Sequence, residues 1–260
     1  MHAPNDTRIP IKVPAVTFLF WVIKIAATTL GETGGDAVSM SMHLGYLVST
    51  LLFAVGFLLA VTLQMKSSRF RPLIYWTTLI ATTTVGTTLA DFVDRSLGIG
   101  YSGGTVILVS LLLSSLFIWY RALGTISVST IKQPKAQFFY WITLLFSQTL
   151  GTALGDWTAD TAGLGYRGGA LLFSLLLGTV AALHFWTRIS STFLFWVAFV
   201  LTRPLGAVVG DFLDKPVASG GLNMSRYTAS AVLLAFILLC IFIFPNQNSA
   251  PAASESNSRP

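Results

Sequence analysis

Four segments of this chain can be written beneath one another at fixed spacing, and that repetition limits what it can fold into. They are FWVIKIAATTLGETGGD (20–36), YWTTLIATTTVGTTLAD (75–91), YWITLLFSQTLGTALGD (140–156) and FWVAFVLTRPLGAVVGD (195–211). Each opens on an aromatic–Trp pair, places Gly ten residues after the Trp, and places Asp five residues after that Gly. The positions are Trp21, Trp76, Trp141 and Trp196; Gly31, Gly86, Gly151 and Gly206; and Asp36, Asp91, Asp156 and Asp211. The Trp intervals are 55, 65 and 55 residues, so copies one and three lie 120 apart, as do two and four. A two-helix unit doubled, and the pair doubled again, accounts for these intervals. A second block follows: LGY at 44–46, GIGYSGG at 98–104 and GLGYRGG at 163–169, with SGGLNMSRY at 219–227 in copy four.

The solvent of this repeat follows from composition. Of the 260 residues, 53% are hydrophobic and 10% charged; mean hydropathy is +0.72. A soluble domain carries roughly 25% charged residues. An ordinary cytosolic enzyme, a nucleic-acid binder and a disordered chain are therefore excluded, and an all-α polytopic membrane protein is expected. Eight stretches approach the roughly 20 apolar residues of a span: 13–30, 44–63, 73–89, 106–120, 138–154, 170–186, 193–209 and 229–244. Thr and Gly gather toward the end of each odd-numbered span. The lone Cys240 supports neither a disulfide framework nor a Cys-based zinc site. There is no phosphate loop, HExxH or G-x-S-x-G elbow, so no enzyme is expected.

Basic residues orient the spans. Arg8 and Lys12, then Lys66, Arg69 and Arg71, then Arg121, Lys132 and Lys135, then Arg188 and Arg259 fall on one side. By the positive-inside rule that side, with both termini, is cytoplasmic. The net charge of +6 is thus topological and implies no nucleic acid. The expected organisation is a cytoplasmic segment 1–12, a transmembrane domain 13–244 and a disordered cytoplasmic tail 245–260. Its two-helix repeats run over about 13–66, 67–121, 133–187 and 188–244. Each repeat holds two spans, so all four motif helices point the same way about an axis along the membrane normal, and the Trp residues are expected as interfacial anchors.

Eight of the ten acidic residues lie in or just after the motifs: Glu32, Asp36, Asp91, Asp94, Asp156, Asp160, Asp211 and Asp214. Pairs at i,i+3 or i,i+4 share a helix face, and clustered carboxylates in an apolar body are costly unless something positive lies among them. Thr29, Thr84 and Thr149 add hydroxyls nearby, and bends at the glycines would free carbonyls. An oxygen-rich set suits Mg²⁺, Ca²⁺ or Mn²⁺, and one softer ligand, His43, would favour Mn²⁺. A competing reading needs no ion: Arg95, Arg167, Lys215 and Arg226 follow the motifs and could pair with the acids. Lys24 is expected to snorkel toward the cytoplasmic side, while Arg203, near mid-helix, needs a partner or replaces an ion.

The four motifs, the LGY-x-GG blocks and the length resemble a bacterial family of uncharacterised membrane-anchored, repeat-containing proteins, over about residues 13–244. Copy four departs by carrying Arg203–Pro204 where the others have Thr or Gln followed by Thr. The resemblance implies a link to metal handling, manganese in particular. The expectation is a divalent-cation transporter of the bacterial inner membrane, exporting Mn²⁺ with possible proton coupling. Its primary ligands would be the four motif aspartates; Glu32, Asp94, Asp160 and Asp214 would be second ligands or proton carriers. Expected partners are lipid and the transported cation, with a homo-oligomer left open. An ion-coupled small-molecule permease and a non-transporting scaffold are the alternatives.

Overall fold

The computed structural model describes residues 12–128, 131 and 133–244. The expected N-terminal segment through residue 11, the tail 245–260 and Lys132 lie outside them. The described chain is all-helical: α1 (Phe18–Asp36), α2 (Gly45–Lys66), α3 (Pro72–Asp91), α4 (Gly100–Leu123), α5 (Pro134–Asp156), α6 (Gly165–Trp186), α7 (Ser191–Asp214) and α8 (Arg226–Ile243). Local signals set the starts. The Thr17 hydroxyl accepts from the Phe20 amide at 3.3 Å, Ser190 caps α7 in the same way, and Pro72 and Pro134 occupy first-turn positions that need no N–H.

The boundaries differ from those expected of hydropathy. α1 starts at Phe18, five residues into the expected span 13–30, and α4 starts at Gly100, well before 106. The motif helices run on through the Thr/Gly stretch to the aspartate and, in copies one to three, into a π-helical turn at Ala37–Ser41, Phe92–Ser96 and Trp157–Thr161. The glycines therefore do not bend the chain or free carbonyls. The sharp turn comes later, in the second block: Gly98 and Gly100, then Gly163 and Gly165, take φ of 64 to 74°, and His43 and Gly45 take 56 and 72° at the matching places. Glycine suits that left-handed backbone, and His is among the few other residues that enter it.

The motif helices touch in a closed cycle: α1 with α3, α3 with α5, α5 with α7 and α7 with α1. Each outer helix packs against the motif helix of the following repeat, α2 on α3, α4 on α5 and α6 on α7, and α8 closes the ring on α1. Glycine makes the cycle tight. A Cβ at Gly31 would run into Thr83, at Gly151 into Arg203 and at Gly206 into Thr28, while at Gly86 it would lie 2.9 Å from the backbone of Gln148 and Thr149. One turn on, Gly35 meets Thr87, Gly155 meets Ala207 and Gly210 meets Glu32. Small residues four apart let helices approach where hydrophobic burial cannot drive them together.

At the opposite end from the aspartates, the aromatic–Trp pairs build a second cycle. The residue before each Trp packs on the next repeat's Trp: Phe20 on Trp76 at 5.6 Å, Tyr75 on Trp141 at 5.8 Å, Tyr140 on Trp196 at 6.4 Å and Phe195 on Trp21 at 5.7 Å. The Tyr75 and Tyr140 hydroxyls share a 2.6 Å hydrogen bond. Trp76, Trp141 and Trp196 are buried and Trp21 half-buried. They are core residues rather than the interfacial anchors expected, because the rings satisfy one another.

Five helices, α2, α4, α6, α7 and α8, are long and apolar enough to cross a membrane, which marks this chain as built for a bilayer. The outer helices expose Leu, Val and Phe along their free faces, Leu59, Val106, Leu175 and Phe242 among them. α1, α3 and α5 fall short of the same standard: α1 carries Lys24, Glu32 and Asp36, α3 seven threonines, and α5 Lys135, Asp156 and two glutamines. Several of their hydroxyls bond back within the helix: Thr29 donates to Ile25 O, Thr84 to Ile80 O and Thr149 to Leu145 O at 2.8–3.0 Å.

Candidate cation site at the acid ring

Because the motif helices are cyclically packed, the aspartates fifteen residues past each Trp end at one level, about 22 Å along the helices from the aromatic cycle at 1.5 Å per residue. Asp36, Asp91, Asp156 and Asp211 are all buried. Cations stand among them in alternate copies. Arg95, one turn after Asp91, pairs with Asp91 at 2.8 Å and reaches Asp156 of the next repeat at 3.1 Å. Lys215, one turn after Asp211, pairs with Asp211 at 3.0 Å and Asp36 at 2.7 Å. The same positions in copies one and three hold Met40 and Asp160. The acid ring is thus fourfold in its aspartates and twofold in its cations.

Asp36, Asp211 and Asp214 form the tightest cluster, with one carboxylate oxygen from each within 4.8 Å of the others. Arg226 holds Asp214 at 2.6 Å and approaches Asp36 at 3.8 Å. Among the described residues Asp36 Oδ1 and Asp214 Oδ1 are buried without a hydrogen bond. The flanking carboxylates hold Lys215 above its ordinary range although burial opposes them. Five buried aspartates (Asp36, Asp91, Asp156, Asp211 and Asp214) thus face three cations (Arg95, Lys215 and Arg226). If all are ionised, negative charge remains for a cation or protons to neutralise.

The other expected ligands are not gathered there. Asp94 is buried against Gly104 of α4, both its oxygens lacking hydrogen-bond partners among the described residues; burial raises its carboxyl to about 6 against the pull of Arg95. Asp160 is exposed, with the Tyr101 hydroxyl 3.5 Å away. His43 is an exposed turn residue, so the softer ligand proposed for Mn²⁺ is outside the cluster. Arg167 stacks 5.2 Å over the Phe212 ring and, among the described residues, pairs with no aspartate. Thr29, Thr84 and Thr149 spend their protons on their own helices, as above.

Glu32 lies one turn deeper and pairs with Arg203 at 2.9 Å. From α7 the same Arg203 Nη2 also donates to Thr87 of α3 at 2.6 Å and to Thr152 of α5, so one side chain ties together all four motif helices. The sequence offers Thr87 and Thr152 as hydroxyls on the same stretches, but not as partners of Arg203. The signal was available, since both occupy the repeat position of Glu32, eleven residues after the Trp. Lys24 does not snorkel: it is fully buried, donates to Phe199 O at 3.0 Å and to Thr202 Oγ1, and lies 3.8 Å over the Phe199 ring.

The model of the family described as Repeat of Unknown Function (DUF347) matches four times, at residues 19–70, 74–125, 139–190 and 194–244. The chain belongs to this family. The four matches coincide with the four aromatic–Trp to aspartate units, each motif helix followed by an outer helix. No curated protein and no solved structure matches the chain.

Proposed function

We propose that this chain carries a divalent cation across a membrane, with the acid ring as its binding site. In this reading all eight helices span the bilayer as four like-oriented two-helix repeats about an axis along the membrane normal. Both termini face the cytoplasm of a bacterial cell. The observation that carries the proposal is the buried Asp36–Asp211–Asp214 cluster, whose oxygens lie close enough for one ion to touch all three. An all-oxygen set suits Mn²⁺, Mg²⁺ or Ca²⁺. The family resemblance makes Mn²⁺ the first cation to assay and export the first direction. Lys215 and Arg226 occupy the cluster as internal cations; an entering ion would have to displace Lys215 from Asp36 and Asp211. Ligating carboxylates must be ionised, so binding releases any proton held there, which is the route to proton coupling.

The test is uptake of Mn²⁺, Mg²⁺, Ca²⁺ and Zn²⁺ by proteoliposomes carrying the purified chain. Wild type is expected to move at least one of these ions, and Asp36→Asn or Asp211→Asn to abolish that flux while the protein remains in the membrane. Equal flux in wild type and both variants would reject the site.

A second reading is favoured by a specific observation, the bridging of neighbouring repeats by Arg95 and Lys215. It makes the acid ring a structural clasp in a non-transporting scaffold. Loss of folded protein in Asp36→Asn and Asp156→Asn, with no flux in wild type, is its signature.

A further inference from the structure

The turn of copy four departs from the repeat at the place where the tightest acid cluster lies. In copies one to three the outer helix starts nine residues after the motif aspartate, at Gly45, Gly100 and Gly165, each followed by Tyr. In copy four it starts fifteen residues after Asp211, and Arg226 takes the glycine's place before Tyr227. This turn is thus six residues longer and ends on a cation. It folds back onto the end of α7: the amides of Leu222, Asn223 and Met224 donate to Phe212 O, Lys215 O and Leu213 O at 2.7, 2.9 and 2.8 Å. A Cβ at Gly221 would run into the Lys215 carbonyl, so the turn lies hard against the helix end.

The longer turn walls a cavity of about 400 Å³ whose lining includes Ser41, Asp214, Asn223, Met224, Arg226 and Tyr227. Asp214 therefore belongs both to the cavity and to the Asp36–Asp211–Asp214 cluster behind it. At about 30 Å³ per water, the space admits a divalent cation with a shell of about six waters. Arg226 stands between cavity and cluster. From the start of α8 its Nε holds Asp214 at 2.6 Å and comes within 3.8 Å of Asp36, while Nη1 donates to Ser41 Oγ at 3.2 Å. Side-chain exposure falls from 21% at Arg226 to 13% at Lys215 and 1% at Asp36, which sets the order in which an entering ion meets them. Behind the arginine, Asp36 Oδ1 and Asp214 Oδ1 are buried without a hydrogen bond among the described residues, so acceptor capacity waits there.

Like charges about 4 Å apart near a protein surface oppose each other by more than about tenfold in affinity. A cation at Asp214 meets that opposition for as long as Arg226 stays on the carboxylate. The arginine side chain is long and rich in rotamers, and the cavity beside it gives it room to swing while α8 stays in place. Given the acid ring as the cation site, on which this rests, we propose that the cavity is the port by which a divalent cation reaches the cluster and that Arg226 is its gate. The guanidinium releases Asp214 to admit the ion and returns to Asp214 when the site empties.

The test is Mn²⁺ titration of the purified full chain, read as free Mn²⁺ by electron paramagnetic resonance, in wild type, Arg226→Gln and Arg167→Gln. Arg226→Gln is expected to bind Mn²⁺ at least about tenfold tighter than wild type. Arg167→Gln removes a solvent-screened cation from the start of α6 and is expected to stay within about twofold. A second measurement leaves Arg226 in place, in case its variant does not fold. Met224→Cys, in a Cys240→Ser background, is labelled with a trimethylammonium methanethiosulfonate. The label is expected to cut Mn²⁺ uptake by proteoliposomes at least about tenfold, because it puts a fixed cation in the port. The same label at Leu97→Cys, in the turn before α4, is expected to leave uptake unchanged. Wild-type affinity in folded Arg226→Gln, or unimpeded uptake by labelled Met224→Cys, would overturn the gated port and leave the cation site standing. Failure of wild type and Arg226→Gln alike to bind Mn²⁺, Mg²⁺ or Ca²⁺ would remove the site and the port with it.

Discussion

The two ends of the motif-helix ring treat the same fourfold repeat differently. At the aromatic end every copy does the same thing: the residue before each Trp packs on the next Trp, through Phe195 back to Trp21. At the acid end the aspartates keep fourfold order, yet the cations between them occupy only copies two and four, as Arg95 and Lys215. Midway, a single Arg203 breaks the symmetry altogether. Apolar packing tolerates four identical contacts because it has no sign. Four identical acids at one level repel, so some copies must supply the opposite charge. Departures from the repeat therefore mark where charge is handled.

The sharpest way to break this comparison is at its least symmetric point. Arg203→Leu strands Glu32 as an unpaired buried acid and is expected to cost about 3–5 kcal/mol, read as lost Tm or folded yield in detergent. Adding Glu32→Gln is expected to recover a large part of that. Recovery shows a charge pair; no recovery means Arg203 acts by packing alone. Next come the glycine contacts between the ends. Gly86→Ala forces a methyl against the Gln148–Thr149 backbone, and denaturation of purified protein is expected to show a loss of about 1–3 kcal/mol.

Asp94 sharpens the acid end through pH. Its carboxyl sits at about 6, above the ordinary 3.8, so ionising it opposes folding. That cost sets in as pH rises from about 4, and is fully present above about 6. Asp94→Asn is therefore expected to stabilise by up to about 3 kcal/mol near neutral pH and to change little near pH 4; a gain independent of pH would show that the carboxyl is not the cause. The smallest effect belongs to the aromatic end. Tyr75→Phe removes the hydrogen bond with Tyr140 and is expected to cost about 1 kcal/mol without altering any response to cations.

Much of this was legible in the sequence. The spacing gave four equivalent Trp, Gly and Asp positions, and the fold brings each set to one level. The pairing of each outer helix with the following repeat was not legible, because hydropathy says which face is apolar and not which neighbour covers it. The reading of the tryptophans as interfacial failed for a related reason: aromatic residues suit both a membrane interface and a core, and only the contact of Phe20 with Trp76 and its counterparts decides between them. The bounds of α1 were misplaced, because Glu32, Asp36 and three glycines lower hydropathy after residue 30 although the helix runs on to Asp36. Arg203 was seen to need a partner, but Glu32 lies 171 residues away in sequence, beyond the reach of local spacing. His43 drew notice as a ligand and serves a turn that Gly98 and Gly163 make in the other copies.

The claim that the acid ring is a cation site is most directly tested by titrating purified protein with Mn²⁺ and following free Mn²⁺ by electron paramagnetic resonance. The account predicts saturable binding in wild type, weakened at least about tenfold, or about 1.4 kcal/mol, in Asp36→Asn and in Asp214→Asn. It is contradicted if wild type leaves all the Mn²⁺ free and, in competition or calorimetry, takes up neither Mg²⁺ nor Ca²⁺.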